Sequence, residues 1–181
     1  MDAFEDQSLS KYVDGVAWHG YYGDPDVMTR VHIGPKAAGT SMRPTTPPTG
    51  RRGQAPSPAS SITGARSIVS WNLVLDEKGK PNIGRFSCGG VVTLNSQTQQ
   101  ITRSGQYWAF AHYAKFLERG ARAFATQGAV PDVAHVAAQN PDGNRVLILT
   151  NRGQEKGMEC RLGEQALALH LPGDSITTLV L

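Results

Sequence analysis

Two short segments of the chain carry side chains that could bind a small polar ligand. Trp18-His19-Gly20-Tyr21 ends an apolar run that predicts a buried strand, and Trp71-Asn72 ends a second strand-like run that begins at Ala65. An aromatic ring offers a flat apolar face to a sugar, and His, Tyr and Asn side chains hydrogen-bond to hydroxyl groups. These residue types favour sugar binding if both strand ends meet at one site, as they do in an α/β barrel.

A purely structural role explains the same residues. Trp71 is then an aromatic residue of the hydrophobic core, and His19 is a core histidine with a hydrogen-bond partner. Spacing alone favours this structural interpretation over sugar binding. The choice between the two depends on the rest of the chain.

Other kinds of chemistry have no support in the residue spacing. There is no Gly-x-Ser-x-Gly elbow, no P-loop and no dinucleotide fingerprint. Cys88 and Cys160 stand far apart and are predicted to be buried free thiols. We therefore expect no metal site and no cofactor, because none of the histidines has ligand spacing: His19, His32, His112, His135 and His170.

Length and composition exclude three classes of protein. The chain has 181 residues, of which 39% are hydrophobic, which is too many for a wholly disordered protein. Two cysteines are too few for a disulfide scaffold. No apolar run approaches the roughly 18 residues that a membrane span needs, so we expect no membrane span.

The basic charge is concentrated in one stretch, Ile33 to Thr63. This stretch holds four of the 18 basic residues and no acidic residue, so the remaining 14 basic and 15 acidic residues carry a net charge of −1. The sequence pI of about 9.0 is therefore no argument for a nucleic-acid partner, and we expect none. The same stretch holds six of the eleven prolines and no aromatic residue. Its composition predicts disorder.

The second half of the chain predicts one helix followed by strands. Apolar residues at helical spacing predict a helix over Gln106–Arg119, with Gly120 as its stop. Asp142-Gly143 between two apolar runs predicts a β-hairpin. Short strands with Gly and Pro turns follow, which is typical of an antiparallel sandwich: Met158–Leu162, Ala166–Leu171 and Ser175–Leu181.

Several of these segments resemble glycoside hydrolase family 30, the glucosylceramidase-like enzymes. Trp71–Asn82 is similar to the end of that family's catalytic barrel, and Gly105–Phe116 to its last barrel helix. Val13–Tyr21 resembles strand six of the barrel. The Asn140–Gly143 hairpin and Pro172–Thr178 resemble its C-terminal β-sandwich. The resemblance covers nearly all of residues 9–32 and 64–181.

The resemblance implies an α/β plus all-β fold, namely the C-terminal fragment of a (β/α)8 TIM barrel with an antiparallel β-sandwich domain. Residues 1–32 are then a barrel fragment around strand six, and residues 33–63 are Pro-rich and either disordered or frameshifted. Residues 64–120 supply strand eight and the last helix of the barrel. Residues 121–181 form the sandwich.

The resemblance also implies a function, that of a retaining β-glycosidase acting on β-glucosides such as glucosylceramide. His19 and Tyr21 then line the site near the nucleophile, Trp71 packs against the sugar, and Asn72 is its neighbour. The expected partner is a carbohydrate or glycolipid substrate. Family members are often secreted or periplasmic. No signal peptide is visible, and the N-terminal part that the family would have is expected to be missing.

The chain departs from the family at both catalytic carboxylates. A retaining glycosidase uses an acid/base and a nucleophile about 5 Å apart. The family's acid/base lies in an Asn-Glu-Pro motif, which this chain lacks. Its nucleophile is a Glu that ends strand seven, between the His19 strand and the Trp71 strand, and residues 33–63 contain no Glu. We therefore assign no catalytic residue and expect no glycosidase activity.

Two compensating frameshifts explain the unusual middle of the chain. Codons displaced by one base across Gly39–Ile62 can encode a strand ending in Tyr-Phe-x-Glu, followed by Asp-Trp-x-x-Trp. The Glu comes from the last base of the Met42 codon and the first two bases of an AGA or AGG codon for Arg43. A genuine Pro-rich insertion is the alternative. For function, the alternative is a non-catalytic β-sandwich module that binds carbohydrate or a partner.

Overall fold

A computed structural model of the chain describes residues 8, 11–12, 15–19, 37–42, 65–83 and 88–181. It divides into two compact units, Met1–Phe110 and Ala111–Leu181. In the described residues most of the regular structure consists of strands, as the sequence predicts.

The first unit contains a three-stranded parallel sheet. Its strands are β1 (Gly15–His19), β2 (Ala37–Met42) and β3 (Ala65–Ser70), with β2 in the centre. Strands β1 and β3 were expected from their apolar runs. In a parallel sheet all strands end at the same edge, so His19, Met42 and Ser70 mark one edge of this sheet.

Strand β2 lies inside the stretch for which the composition predicts disorder. For residues 37–42 the structure shows a strand instead. Its sequence, Ala-Ala-Gly-Thr-Ser-Met, has little β-propensity of its own. Pairing on both sides supplies the order, because a central strand shares backbone hydrogen bonds with two neighbours. Residues 33–36 and 43–63 lie outside the described residues, and the frameshift stays a hypothesis.

A second small sheet follows in the same unit. It consists of β4 (Val74–Leu75), β5 (Val92–Leu94) and β6 (Ile101–Arg103), in that order. Strands β4 and β5 run parallel, and β5 and β6 run antiparallel.

One helix, α1 (Gly105–Ala114), follows β6. The Tyr107 N–H donates to the Ser104 hydroxyl oxygen at 3.2 Å, so Ser104 caps the first turn. The helix ends five residues before the predicted Arg119. The Asn140 side chain bonds to the backbone of Phe116 and Glu118 and holds this segment in a turn.

The second unit is a β-sandwich. A four-stranded antiparallel sheet has the order β12-β9-β8-β7, and β10 and β11 form a separate hairpin. The predicted hairpin at Asp142-Gly143 is confirmed, since β8 and β9 pair along their whole length around it. The strands are β7 (Arg122–Phe124), β8 (Val133–Gln139), β9 (Arg145–Asn151), β10 (Lys156–Leu162), β11 (Gln165–Leu171) and β12 (Ser175–Val180).

Side chains alternate across β9 and build two cores. Val146 and Ile148 pack with Tyr113, at the end of α1, in one core. Leu149 packs with Val133 and with Leu171 of the hairpin in the other. The four-stranded sheet is therefore covered on both faces.

The structure also describes the two cysteines, the side chains that could bind a metal, and the length of the helix. Cys88 and Cys160 are free, as predicted, but each is half-buried. Within the ranges given above, no three His, Cys, Asp or Glu residues cluster as metal ligands would. No helix in that part of the chain is long and apolar enough to cross a membrane.

Candidate functional site

The parallel sheet brings two of the predicted sugar-binding segments to one edge. His19 is the last residue of β1 and is in register with Ser41, which is in register with Val69. Trp71 directly follows β3, which ends at Ser70. Since strands in a sheet are about 4.8 Å apart, the ends of β1 and β3 are about 10 Å apart. Tyr21 lies outside the described residues.

Trp71 is exposed and is not a core residue. Its side chain is 56% exposed, whereas the aliphatic residues of the core are almost fully buried. Trp71 therefore lies outside the core of the described residues, and its role in sugar binding stays a prediction. Asn72, joined to Trp71 by a cis peptide bond, is half-buried. The roles of His19 and Asn72 stay predictions.

Backbone hydrogen bonds fix the chain directly after Trp71. The Val91 N–H donates to the Asn72 carbonyl and the Val92 N–H to the Leu73 carbonyl, both at 2.9 Å. Gly90 makes this close approach possible. A Cβ atom on residue 90 would lie 2.4 Å from the Val92 carbonyl oxygen and 2.8 Å from the Leu75 nitrogen. Only glycine fits there.

Ser104 connects this segment to helix α1. Its hydroxyl donates to the Val91 carbonyl oxygen at 2.8 Å and accepts from the Tyr107 N–H. Val91 thus bonds to the Trp71 segment on one side and to the helix cap on the other. The backbone behind the Trp71 ring is rigid because these hydrogen bonds form a continuous network.

The loop after β4 contains the two acidic residues that lie closest in sequence to Trp71. One carboxylate oxygen of Asp76 accepts from the backbone N–H groups of Lys78 and Lys80, at 2.9 and 2.6 Å. The Glu77 carboxylate accepts from both the N–H and the hydroxyl of Ser96. These Ser96 hydrogen bonds, above all the one from the hydroxyl, lower the pKa of Glu77 to about 2.

These two carboxylates hold the loop and are poor candidates for acid/base chemistry. A general acid at neutral pH needs a raised pKa, and that of Glu77 is lowered. The Glu77–Ser96 contact was not foreseen from sequence, because its partners are 19 residues apart. No local pattern would have found it.

A second cluster with aromatic side chains consists of Arg103 on β6 and of Tyr107 and Trp108 on α1. The rings of Tyr107 and Trp108 pack edge to face, with centroids 5.2 Å apart, and the Arg103 guanidinium lies 5.3 Å from the Tyr107 ring centroid. Trp108 is one of the apolar residues whose helical spacing predicts α1, and it is 56% exposed. Adjacent helical residues point about 100° apart, which is the signal that Tyr107 and Trp108 do not share one buried face.

Comparison with known proteins shows that the chain is similar to family 30 glycosyl hydrolases. Residues 120–179 match the glycosyl hydrolase family 30 beta sandwich domain. The chain is 30% identical to an endo-1,6-beta-D-glucanase of Trichoderma harzianum over 93% of its own length. It is 27% identical to putative glucosylceramidase 3 of Caenorhabditis elegans over 98% of its length. It spans only 37% and 38% of these two relatives.

Solved structures give the same result. An endo-beta1,6-glucanase superposes with a TM-score of 0.81 at 26% identity, over 97% of this chain and 42% of that one. SrfJ from Salmonella typhimurium superposes with a TM-score of 0.84 over 99% of this chain and 43% of that one. At 24% identity, the second match supports the fold alone.

Proposed function

We propose that the chain, whose residues 120–179 match the glycosyl hydrolase family 30 beta sandwich domain, is the C-terminal, sugar-contacting part of a retaining β-glycosidase. One observation carries the proposal. Trp71 is exposed at the edge of a parallel sheet where the β1 strand, which ends in His19, also terminates. In this proposal Trp71 stacks on the glucosyl ring, and His19, Tyr21 and Asn72 complete the surface around it.

The sheet of β1, β2 and β3 is proposed to be part of a (β/α)8 barrel. Barrel strands are parallel, and the residues at their C-terminal ends face the active site. In this division residues 1–32 and 64–120 belong to the barrel and residues 121–181 to the sandwich. The parallel pairing of the three strands supports the barrel, since the sandwich strands pair antiparallel.

We propose that the 181-residue polypeptide does not hydrolyse glycosides by itself. Strand β2 lies between β1 and β3, where the family resemblance expects the nucleophile, and it ends in Met42. A thioether cannot replace a carboxylate that must form and release a glycosyl ester. The chain also has no Asn-Glu-Pro motif that could supply the acid/base.

The proposed substrate class is β-linked glucose. The two kinds of relative are named as endo-1,6-beta-D-glucanases and glucosylceramidases, and both names specify a glucosyl group. A neutral sugar fits the exposed indole of Trp71, because pyranose C–H groups pack on an aromatic face. A secreted or periplasmic location belongs to the same proposal and rests on the family resemblance alone.

Two measurements test this proposal. The purified chain is assayed on an aryl β-glucoside, and turnover above that of a heat-denatured sample contradicts the claim of inactivity. Binding of β-1,6-linked glucose oligosaccharides is followed through the indole N–H signal of Trp71 in ¹⁵N-labelled protein. We expect a saturable shift, and an unmoved signal contradicts the role of Trp71.

The nucleotide sequence across Met42 and Arg43 decides between frameshift and insertion.

A non-catalytic β-sandwich module is the second candidate. The unit Ala111–Leu181 has two cores of its own, so its stability does not depend on a catalytic site. In the same titration, this alternative predicts shifts of backbone signals within residues 111–181 and none at Trp71.

A further inference from the structure

Arg103, Tyr107 and Trp108 form a compact side-chain cluster, here called the Trp108 cluster. The Tyr107 and Trp108 ring planes meet at 85°, and Arg103 approaches the Tyr107 ring. Nothing proposed above for the Trp71 site uses these three residues. They lie on β6 and the first turn of α1, whereas Trp71 follows β3.

The Trp108 ring is exposed in the described part of the chain. Its side chain is 56% exposed, the same fraction as that of Trp71, and Ile101 on the adjoining strand is 64% exposed. Large apolar surfaces left in contact with water indicate binding sites when they form a patch with polar neighbours. Arg103 is the polar neighbour, and it makes no ion pair with any described carboxylate.

Hydrogen bonds hold the backbone that carries the cluster. Ser104, between Arg103 and the helix, caps the first turn and is bonded to Val91. The backbone N–H of Trp108 also donates to the Ser104 carbonyl oxygen at 3.4 Å. The Tyr107 and Trp108 rings already contact each other, and side chains with fewer accessible rotamers lose less conformational entropy on binding a ligand such as a sugar.

We propose that the Trp108 cluster is a second carbohydrate-binding site, which takes a neutral β-linked glucan chain. One pyranose ring packs on the exposed indole, and the free N–H groups of Arg103 donate to sugar hydroxyls. A single cation without further basic neighbours in the cluster suits a neutral ligand better than a polyanion. The linkage class rests on the proposed function, whereas the cluster itself does not.

Two contact sites on one polypeptide raise the affinity for a polymer above that for a single sugar, because the second contact becomes intramolecular. The cluster would therefore contribute to binding of long glucans and little to binding of a monosaccharide glucoside.

The test uses the full chain labelled with ¹⁵N, whose three tryptophans give three indole N–H signals. Each signal is assigned by a Trp→Phe substitution. β-1,6-linked glucose oligosaccharides are titrated in, and an α-linked oligosaccharide of equal length serves as the ligand control. We expect the Trp108 signal to shift saturably with the β-linked ligand, in the wild type and in Trp71→Ala.

Arg103→Gln tests the polar half of the site. With an oligosaccharide too short to reach both sites, losing a charge-assisted hydrogen bond at an exposed site should weaken the affinity read at Trp108 about fivefold to tenfold and leave that read at Trp71 unchanged. Lys115→Gln is the matched control, because the Lys115 ammonium also lies 5.3 Å from an aromatic centroid, that of Phe116. It should change neither affinity.

The outcomes separate the two proposals. A Trp108 signal that stays fixed while the Trp71 signal moves overturns the second site and leaves the proposed function standing. A moving Trp108 signal with a fixed Trp71 signal supports the second site and contradicts the sugar-binding role of Trp71. An equal response to the α-linked oligosaccharide overturns the assignment to β-glucans.

Discussion

The Glu77 carboxylate receives both polar hydrogens of Ser96, the backbone N–H at 2.9 Å and the hydroxyl at 2.7 Å. This contact joins the loop after β4 to the turn between β5 and β6. It stabilises the ionised carboxylate and lowers the pKa of Glu77 from 4.5 to about 2.

The sign of the pH dependence follows from this lowered pKa. The contact stabilises the fold fully above pH 4.5 and is lost as the pH falls towards 2, because the unfolded chain takes up the proton first. We expect the melting temperature of the wild type to fall over this range more steeply than that of Glu77→Gln. Thermal unfolding monitored by circular dichroism at several pH values measures the difference.

Glu164→Gln is the control for that measurement. Glu164 is exposed in the turn between β10 and β11, and its carboxylate makes no hydrogen bond to any described residue. Its removal should leave the slope with pH close to that of the wild type. If Glu77→Gln and Glu164→Gln behave alike, the Ser96 contact does not stabilise the protein.

Asn140→Ala should destabilise the second unit by about 1–3 kcal/mol. The Asn140 amide donates to the Phe116 carbonyl at 2.9 Å and accepts from the Glu118 N–H at 3.1 Å, and the residue is buried. The substitution leaves both backbone groups without this partner. Urea unfolding followed by far-UV circular dichroism gives the change in the free energy of unfolding.

Asn144→Ala serves as the comparison for Asn140. Asn144 lies in the same hairpin, but it is exposed, and among the described residues its side chain bonds only to Asp142. Its loss should cost less than about 0.5 kcal/mol. Equal losses for the two variants contradict a special role of Asn140 at the end of the helix.

Gly90→Ala should disturb the segment that carries Trp71. The new methyl group would overlap the Val92 carbonyl oxygen and the Leu75 nitrogen, both of which are backbone atoms that cannot rotate away. We expect a lower melting temperature and a displaced Trp71 indole signal. Gly105→Ala is the matched control: a Cβ atom on residue 105 meets nothing within 4 Å, and Ala favours helix by about 1 kcal/mol.

Local patterns predicted those parts of the fold that local interactions stabilise. The β8–β9 hairpin forms where Asp142-Gly143 permits a tight turn, and Gly143 has the positive φ of 94° that this turn needs. The end of α1 was placed too late because Asn140, which fixes it, lies more than twenty residues further along the chain. Strand β2 is stabilised by pairing with β1 and β3, and the residues of β2 themselves contain no pattern that predicts this pairing.

The candidate site was predictable in the same partial way. The position of Trp71 at a strand end follows from the apolar run before it, whereas its exposure depends on packing that no run of residues reveals. The exposure of Trp108 could not be predicted either. Helical spacing counts apolar residues, and it cannot tell a buried indole from one that faces water.

The two-sided packing of the sandwich sheet has a consequence for how the protein opens. Ile148 and Leu149 are neighbours on β9, yet each belongs to a different core. Strand β9 is also bonded to β12 on one side and β8 on the other. Its amide protons reach solvent only when both cores separate, so they should exchange with deuterium last of all. The amides of β11, which among the described strands pairs with β10 alone, should exchange much sooner, and equal rates would mean that the two layers unfold as one.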